Sequence, residues 1–228
     1  MGFSRGPKIV TDGLVLALDA ANPKSYPGSG TTWSDLSGNG NDGSLINGPT
    51  FDSGNNGSIV FDGVDDRLSV ITFDQNPFLD EFTIEIVSIV DKTNSRLISQ
   101  NHSTINPNTI YINYPNFENL TFAVVDSNQN RFSTFRGSLI PNEIYHMSMA
   151  VDLNQGKLIS YLNGRSKEED ISNFSGNLTN ERIFIGCSEP GKGALLQGNI
   201  FLVRIYSKYM NQSKILHNFN STKSRYGL

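Results

Sequence analysis

The chain has a single cysteine, Cys187, so no internal disulfide can form and a disulfide-stapled secreted scaffold is excluded. That cysteine ends the run RIFIGC, which reads as a strand burying an inert thiol. Charge is also scarce: 18% of residues are charged, the net charge is -4, and Lys and Arg are scattered rather than clustered. Without a basic patch, nucleic acid is not an expected partner. No segment approaches the roughly 18 apolar residues that cross a bilayer, so no membrane insertion is expected. The opening MGFSRGPKIV contains no apolar run, which predicts no signal peptide, and Gly6 stands where a myristoylation site wants Ser or Thr. Catalytic signatures are missing too. His102, His146 and His217 form no H-x-x-x-H pair for zinc, GKG at Gly191 is no phosphate loop, and no G-x-S-x-G elbow occurs.

Short β-rich runs separated by turn residues are abundant. About a dozen alternating or β-rich runs are legible, among them LVLALD from Leu14, SIVF from Ser58, FTIEIVSIV from Phe82, TIYINY from Thr109, LTFAVV from Leu120 and NIFLVRIYS from Asn199. In IYHMSMAVD, Ile144, His146, Ser148 and Ala150 share one face and Tyr145, Met147, Met149 and Val151 the other, so both faces are covered. The loop DLNQG (Asp152 to Gly156) predicts an antiparallel hairpin, and Asn163-Gly164 turns the chain again. A helix is expected at the end, where Asn211 caps NQSKILHNFNSTKSRYG and Ile215, Leu216 and Phe219 form an apolar stripe that docks outside the sheets. No linker-like stretch divides the 228 residues, so one domain over residues 1–228 is expected, with Gly28 to Gly57 as a long decorated connection.

One stretch of that connection, WSDLSGNGNDGS, matches the opening of an EF-hand loop through Asp35, Ser37, Asn39 and Gly40. The position that needs a bidentate Glu is Ile46, and the neighbours are strands, so the stretch reads as a turn.

The combination of DGLVLALDAANPKSYPGSGTTWSDLSGNGNDGSLINGPTF, SIVFDGVDDRLSV, FTIEI, LNGR and the closing GNIFLVRIYSKYMNQSKILHNFNSTKSRYGL resembles laminin-G-like domains of the concanavalin A-like lectin and glucanase superfamily. The opening PKIVTDGLVLALDAANPKSYPGSGTTWSDLSGNGN and the ending RYGL are similar to stand-alone versions among structural proteins of tailed bacteriophages, marine ones especially. The resemblance implies an all-β jelly-roll sandwich of two antiparallel sheets with a short C-terminal helix, used to bind carbohydrate or another protein, often with calcium. It also implies that Trp33 anchors the WSDLSGNGNDGS loop while Asp35 and Ser37 bond nearby backbone.

The superfamily includes glycoside hydrolases, whose chemistry needs two carboxylates flanking a sugar. The strand that might carry them offers Glu85 alone, with Val87 on the same face, and Glu168, Glu169 and Asp170 read as solvated strand or turn residues. No enzyme is expected. Asp65 and Asp66 are either ordinary turn residues or oxygen ligands for calcium. In NHSTINPNTIYINYPNF the candidates for carbohydrate binding are Asn101, His102, Tyr111, Asn113 and Tyr114, because amides hydrogen-bond hydroxyls and aromatic faces cover sugar rings. The alternative is that Tyr111 packs in the core and the asparagines form turns. Two functions lead: a virion protein on the exposed surface of head, neck or tail that binds host-surface glycans, or a decoration or cementing protein that binds none; a degraded or unusual glycosidase is a weaker third. Either would contact other virion proteins and assemble as a homo-oligomer.

Overall fold

The computed structural model describes residues 8–70, 73–100, 107–116, 118–188 and 193–228. Two antiparallel sheets of eight strands each are stacked face to face among these residues. The first contains β1 (Leu14–Asp19), β4 (Thr50–Asp52), β5 (Ser58–Asp62), β7 (Glu81–Val90), β12 (Tyr145–Asp152), β13 (Lys157–Leu162), β14 (Arg165–Asp170) and β16 (Gln197–Tyr206). The second contains β2 (Thr32–Trp33), β3 (Gly43–Ile46), β6 (Arg67–Val70), β8 (Ser95–Gln100), β9 (Thr109–Tyr114), β10 (Leu120–Val125), β11 (Arg131–Arg136) and β15 (Ile183–Ile185). The architecture is the all-β jelly roll that the family resemblance implies.

Alternation decides which side chains meet. Phe82, Ile84, Ile86 and Val90 of β7 point inward with Met147, Met149 and Val151 of β12. From the second sheet Leu68, Ile98, Ile110, Ile112 and Phe122 join them in one apolar cluster shared by both sheets. Each such side chain contributes roughly 1.5–3 kcal/mol when fully buried. Trp33, wholly buried, sits in the same cluster and ties the Gly-rich connection to it.

The outer face of the first sheet is covered by α1 (Gln212–Tyr226), whose first turn is capped by Asn211 Oδ1 accepting from Lys214 N at 3.1 Å. Ile215 packs on Ala150, Tyr161, Tyr206 and Met210, and Tyr226 on Val87, Ile89, Phe201 and Leu202. Phe201 and Leu202 both face the helix because β16 bulges between Ile200 and Leu202. Just before the bulge, Gly198 has φ +147, and a Cβ there would lie 2.2 Å from the carbonyl oxygen of Ile89. No helix among the described residues is long and apolar enough to cross a membrane.

The connection from Gly28 to Gly57 holds β2, β3 and β4, strands of two to four residues. They are too short for alternation to register, and pairing holds them in place: β3 on β6, β2 on β3, and β4 on β5. Arg165–Asp170 forms β14 at the edge of the first sheet, where its carboxylates are solvated, in keeping with the expected strand-or-turn reading.

Candidate binding face

The outer face of the second sheet gathers polar side chains that the interior of the protein does not need. Ile110, Ile112 and Tyr114 of β9 point into the core, so Tyr111 and Asn113 point out. On β8 a register shift between Arg96 and Ile98 places both Leu97 and Ile98 inside and leaves Arg96 directly opposite Asn113. Thr121 of β10 faces Asn113 from the other side, and Phe135 of β11 faces Thr121. Four neighbouring strands thus carry the row Arg96, Asn113, Thr121, Phe135 on one face.

Three of these residues have polar atoms with no hydrogen-bond partner among the described residues: Arg96 Nε and Nη1, Asn113 Oδ1 and Thr121 Oγ1. Arg96 is 7% exposed and Thr121 2%, whereas Asn113 is half-buried and Phe135 is 38% exposed. The Arg96 guanidinium lies over the Tyr111 ring, 4.4 Å from its centroid, and burial lowers its pKa to about 10. No carboxylate among the described residues is within ion-pair distance of it. The Arg131 guanidinium stands 5.7 Å from the Phe135 ring.

The sequence-derived candidates are therefore divided. Tyr111 and Asn113 share this face. Tyr111 is buried there, against Ala123 and Val125 and beneath Arg96, and not in the core between the sheets. Tyr114 is 1% exposed and points the other way, into the core, where its hydroxyl accepts from Leu139 N at 3.1 Å. Asn101 and His102 lie outside the described residues. Sequence reasoning missed Arg96, Thr121 and Phe135, since only strand pairing puts them in a row.

The β5–β6 turn adds a third carboxylate to the expected pair. Asp62, Asp65 and Asp66 each bring an oxygen within 4.8 Å of the others. Asp66 Oδ2 accepts from Asp62 N at 3.0 Å, and burial, with the neighbouring carboxylates, raises its pKa. The nearby carbonyls are already engaged: Asp65 O by Asn47 and Arg67, Gly63 O by Lys92. The turn supplies three of the six to eight oxygens calcium takes, so it fits part of a calcium shell and solvent would have to complete it.

The EF-hand-like stretch is a turn. Asp35 Oδ1 accepts from Ala17 N and Ser37 N, both at 2.8 Å, and its Oδ2 from Ser37 Oγ at 2.6 Å and Asn41 N at 3.1 Å. Ser37 Oγ in turn donates to Val15 O. Both carboxylate oxygens are thus taken up by local structure.

Glu85 is wholly buried beneath α1. Its Oε2 accepts from Asn218 Nδ2 at 2.8 Å and lies 3.4 Å from Tyr206 Oη and 3.5 Å from Arg204 Nη1, while His146 Nε2 stands 3.5 Å from Oε1. Burial pushes this carboxyl upward, but His146, Arg204 and Asn218 outweigh it and hold it below the usual range. The group is sealed structural polarity with no second carboxylate beside it among the described residues. Cys187 is likewise buried, its thiol pushed up to about 11 by burial.

Comparisons with known proteins follow the geometry. The Laminin_G_3 family model, described as the concanavalin A-like lectin/glucanases superfamily, matches residues 62–216. No curated protein sequence gives a significant match. Among solved structures the chain is similar to the binding domain of botulinum neurotoxin DC in complex with rat synaptotagmin II, at 16% identity and a TM-score of 0.72 over 93% of this chain and 52% of that one. It is also similar to the neurotoxin DC binding domain in complex with SialylT, at 15% identity and a TM-score of 0.71 over 92% and 52%. A third is the binding domain of Paraclostridial Mosquitocidal Protein 1, at 18% identity and a TM-score of 0.68 over 92% and 52%. The chain spans about half the length of these structures, and at such identities the likeness is one of fold.

Proposed function

Since the chain belongs to the concanavalin A-like lectin/glucanases superfamily, we propose that it is a non-catalytic recognition module that binds carbohydrate on the outer face of its second sheet. The observation that carries this reading is the row Arg96, Asn113, Thr121, Phe135. Buried polar groups are normally satisfied, and here three adjacent residues on three strands are not. A polyhydroxylated ligand supplies both donors and acceptors for them, and Phe135 offers an aromatic face to a sugar ring. The sealing of Glu85 under α1 supports a non-catalytic role, because a glycosidase carboxylate has to face its substrate.

The same proposal places the module on the exposed surface of a tailed-bacteriophage virion, in contact with other virion proteins and repeated by closed symmetry. Its support is the resemblance of the opening and closing segments to stand-alone phage structural proteins. Neighbours of similar fold, the botulinum neurotoxin DC binding domain in complex with rat synaptotagmin II and with SialylT, agree with a receptor-binding use of this architecture. Isothermal titration against host envelope polysaccharides tests the reading: saturable binding weakened by Asn113→Ala is expected. Silence across the host-derived glycans, with the protein stably incorporated in particles, would leave it a decoration or cementing protein.

A further inference from the structure

The row on the second sheet is asymmetric in charge. At one end Arg96 keeps two N–H groups without a partner, and no carboxylate among the described residues neutralises it. At the other end Arg131 stands beside the exposed ring of Phe135. Between them lie the hydroxyl of Thr121 and the amide of Asn113. A buried guanidinium without a counter-ion is unfavourable unless something else completes it. Tyr111 holds that guanidinium in place through its ring face.

We propose that the ligand of this face is an acidic saccharide, a sugar chain carrying carboxylates, with one carboxylate on Arg96 and the chain running across Asn113 and Thr121 to Phe135. This rests on the carbohydrate reading and narrows it to a substrate class. The donors suit oxyanions: Arg96 Nε and Nη1 each keep an N–H without a partner, on different edges of the guanidinium, and a carboxylate oxygen accepts a charge-assisted hydrogen bond from either. Asn113 Oδ1 accepts from a ring hydroxyl, and Thr121 Oγ1 both donates and accepts. Strands spaced about 4.8 Å apart make the row from Arg96 to Phe135 roughly 14 Å long, room for more than one sugar residue. Arg131 then meets a second acidic group beyond the aromatic face, so a repeating uronate suits the site better than a single terminal charge. Asn113 and Phe135, the more exposed members, mark where the ligand enters.

The test is titration of the intact chain with oligogalacturonates and sialylated oligosaccharides, each beside its methyl ester or desialylated counterpart. The carboxylated forms should bind at least about tenfold more tightly than the neutral ones, the difference shrinking as salt is raised. Phe135→Ala, at an exposed position, and Thr121→Val, a change of nearly equal size, should each weaken binding several-fold while leaving the melting temperature close to wild type. Arg96→Lys keeps the charge, loses the planar guanidinium and its Nε–H, and should cut the preference for the acid several-fold. Binding of neutral saccharides with no preference for acidic ones would overturn this inference and leave the carbohydrate reading intact. Acid binding undiminished in Phe135→Ala and Thr121→Val would place the site elsewhere and overturn it as well. If no saccharide of either class binds, both readings fail together.

Discussion

Glu85 and Asp66 are two carboxylates whose surroundings act on them in opposite directions. Glu85, held below its usual range, contributes stability that is fully present above 4.5, its ordinary value, and is lost as pH falls through the lower folded value. Glu85→Gln leaves Arg204 buried without its partner, and we expect a loss of about 3–5 kcal/mol in urea denaturation at pH 7. Asp66 has the reverse sign. Its raised pKa means the carboxylate form costs the folded state stability at neutral pH, and the cost is relieved as pH falls through that value towards 3.8. Asp66→Asn keeps an acceptor for Asp62 N, so in ion-free buffer it should stabilise the protein by less than about 1 kcal/mol at pH 7, because solvent screens the turn. The gain should vanish in melts below pH 3.8. Individual residues were legible in sequence where their chemistry is local: Asp35 and Ser37 bond their own loop, and Asp65 and Asp66 sit side by side. Arg96 and Thr121 were not, because a polar residue inside a strand shows its role only once its cross-strand neighbour is known.

At the scale of elements, twelve of the sixteen described strands announce themselves as alternating or β-rich runs, and α1 by its cap and apolar stripe. What escaped detection was governed by pairing. The strands β3 and β4 exist because β6 and β5 accept them, and β2 because β3 does. The charges along β14, an edge strand, discourage pairing with a further chain. The bulge that turns both Phe201 and Leu202 towards the helix has no signal in NIFLVRIYS, though Gly198 stands beside it. Gly198→Ala would drive a methyl group into the Ile89 carbonyl, at 2.2 Å, in a conformation L-residues rarely adopt. We expect a loss of at least about 3 kcal/mol, with amide exchange of β7 and β16 accelerated ahead of the distant β10–β11 hairpin.

For the whole molecule, one apolar cluster is shared by both sheets, with β14, β11 and α1 as its margins. The proposal that residues 1–228 form one domain then predicts a single cooperative transition. Calorimetric and van't Hoff enthalpies should agree, and a second, separable transition would refute it.

The placement of β16 has a temporal consequence. It is the last of the described strands, yet it is central in its sheet: β7 lies along one side, while β5 and β1 share the other. Leu18 must find Val203 across nearly the whole length of the chain. During synthesis β1 and β5 are made long before β16, so closure of the first sheet waits for that strand and, with contacts this distant, is slow.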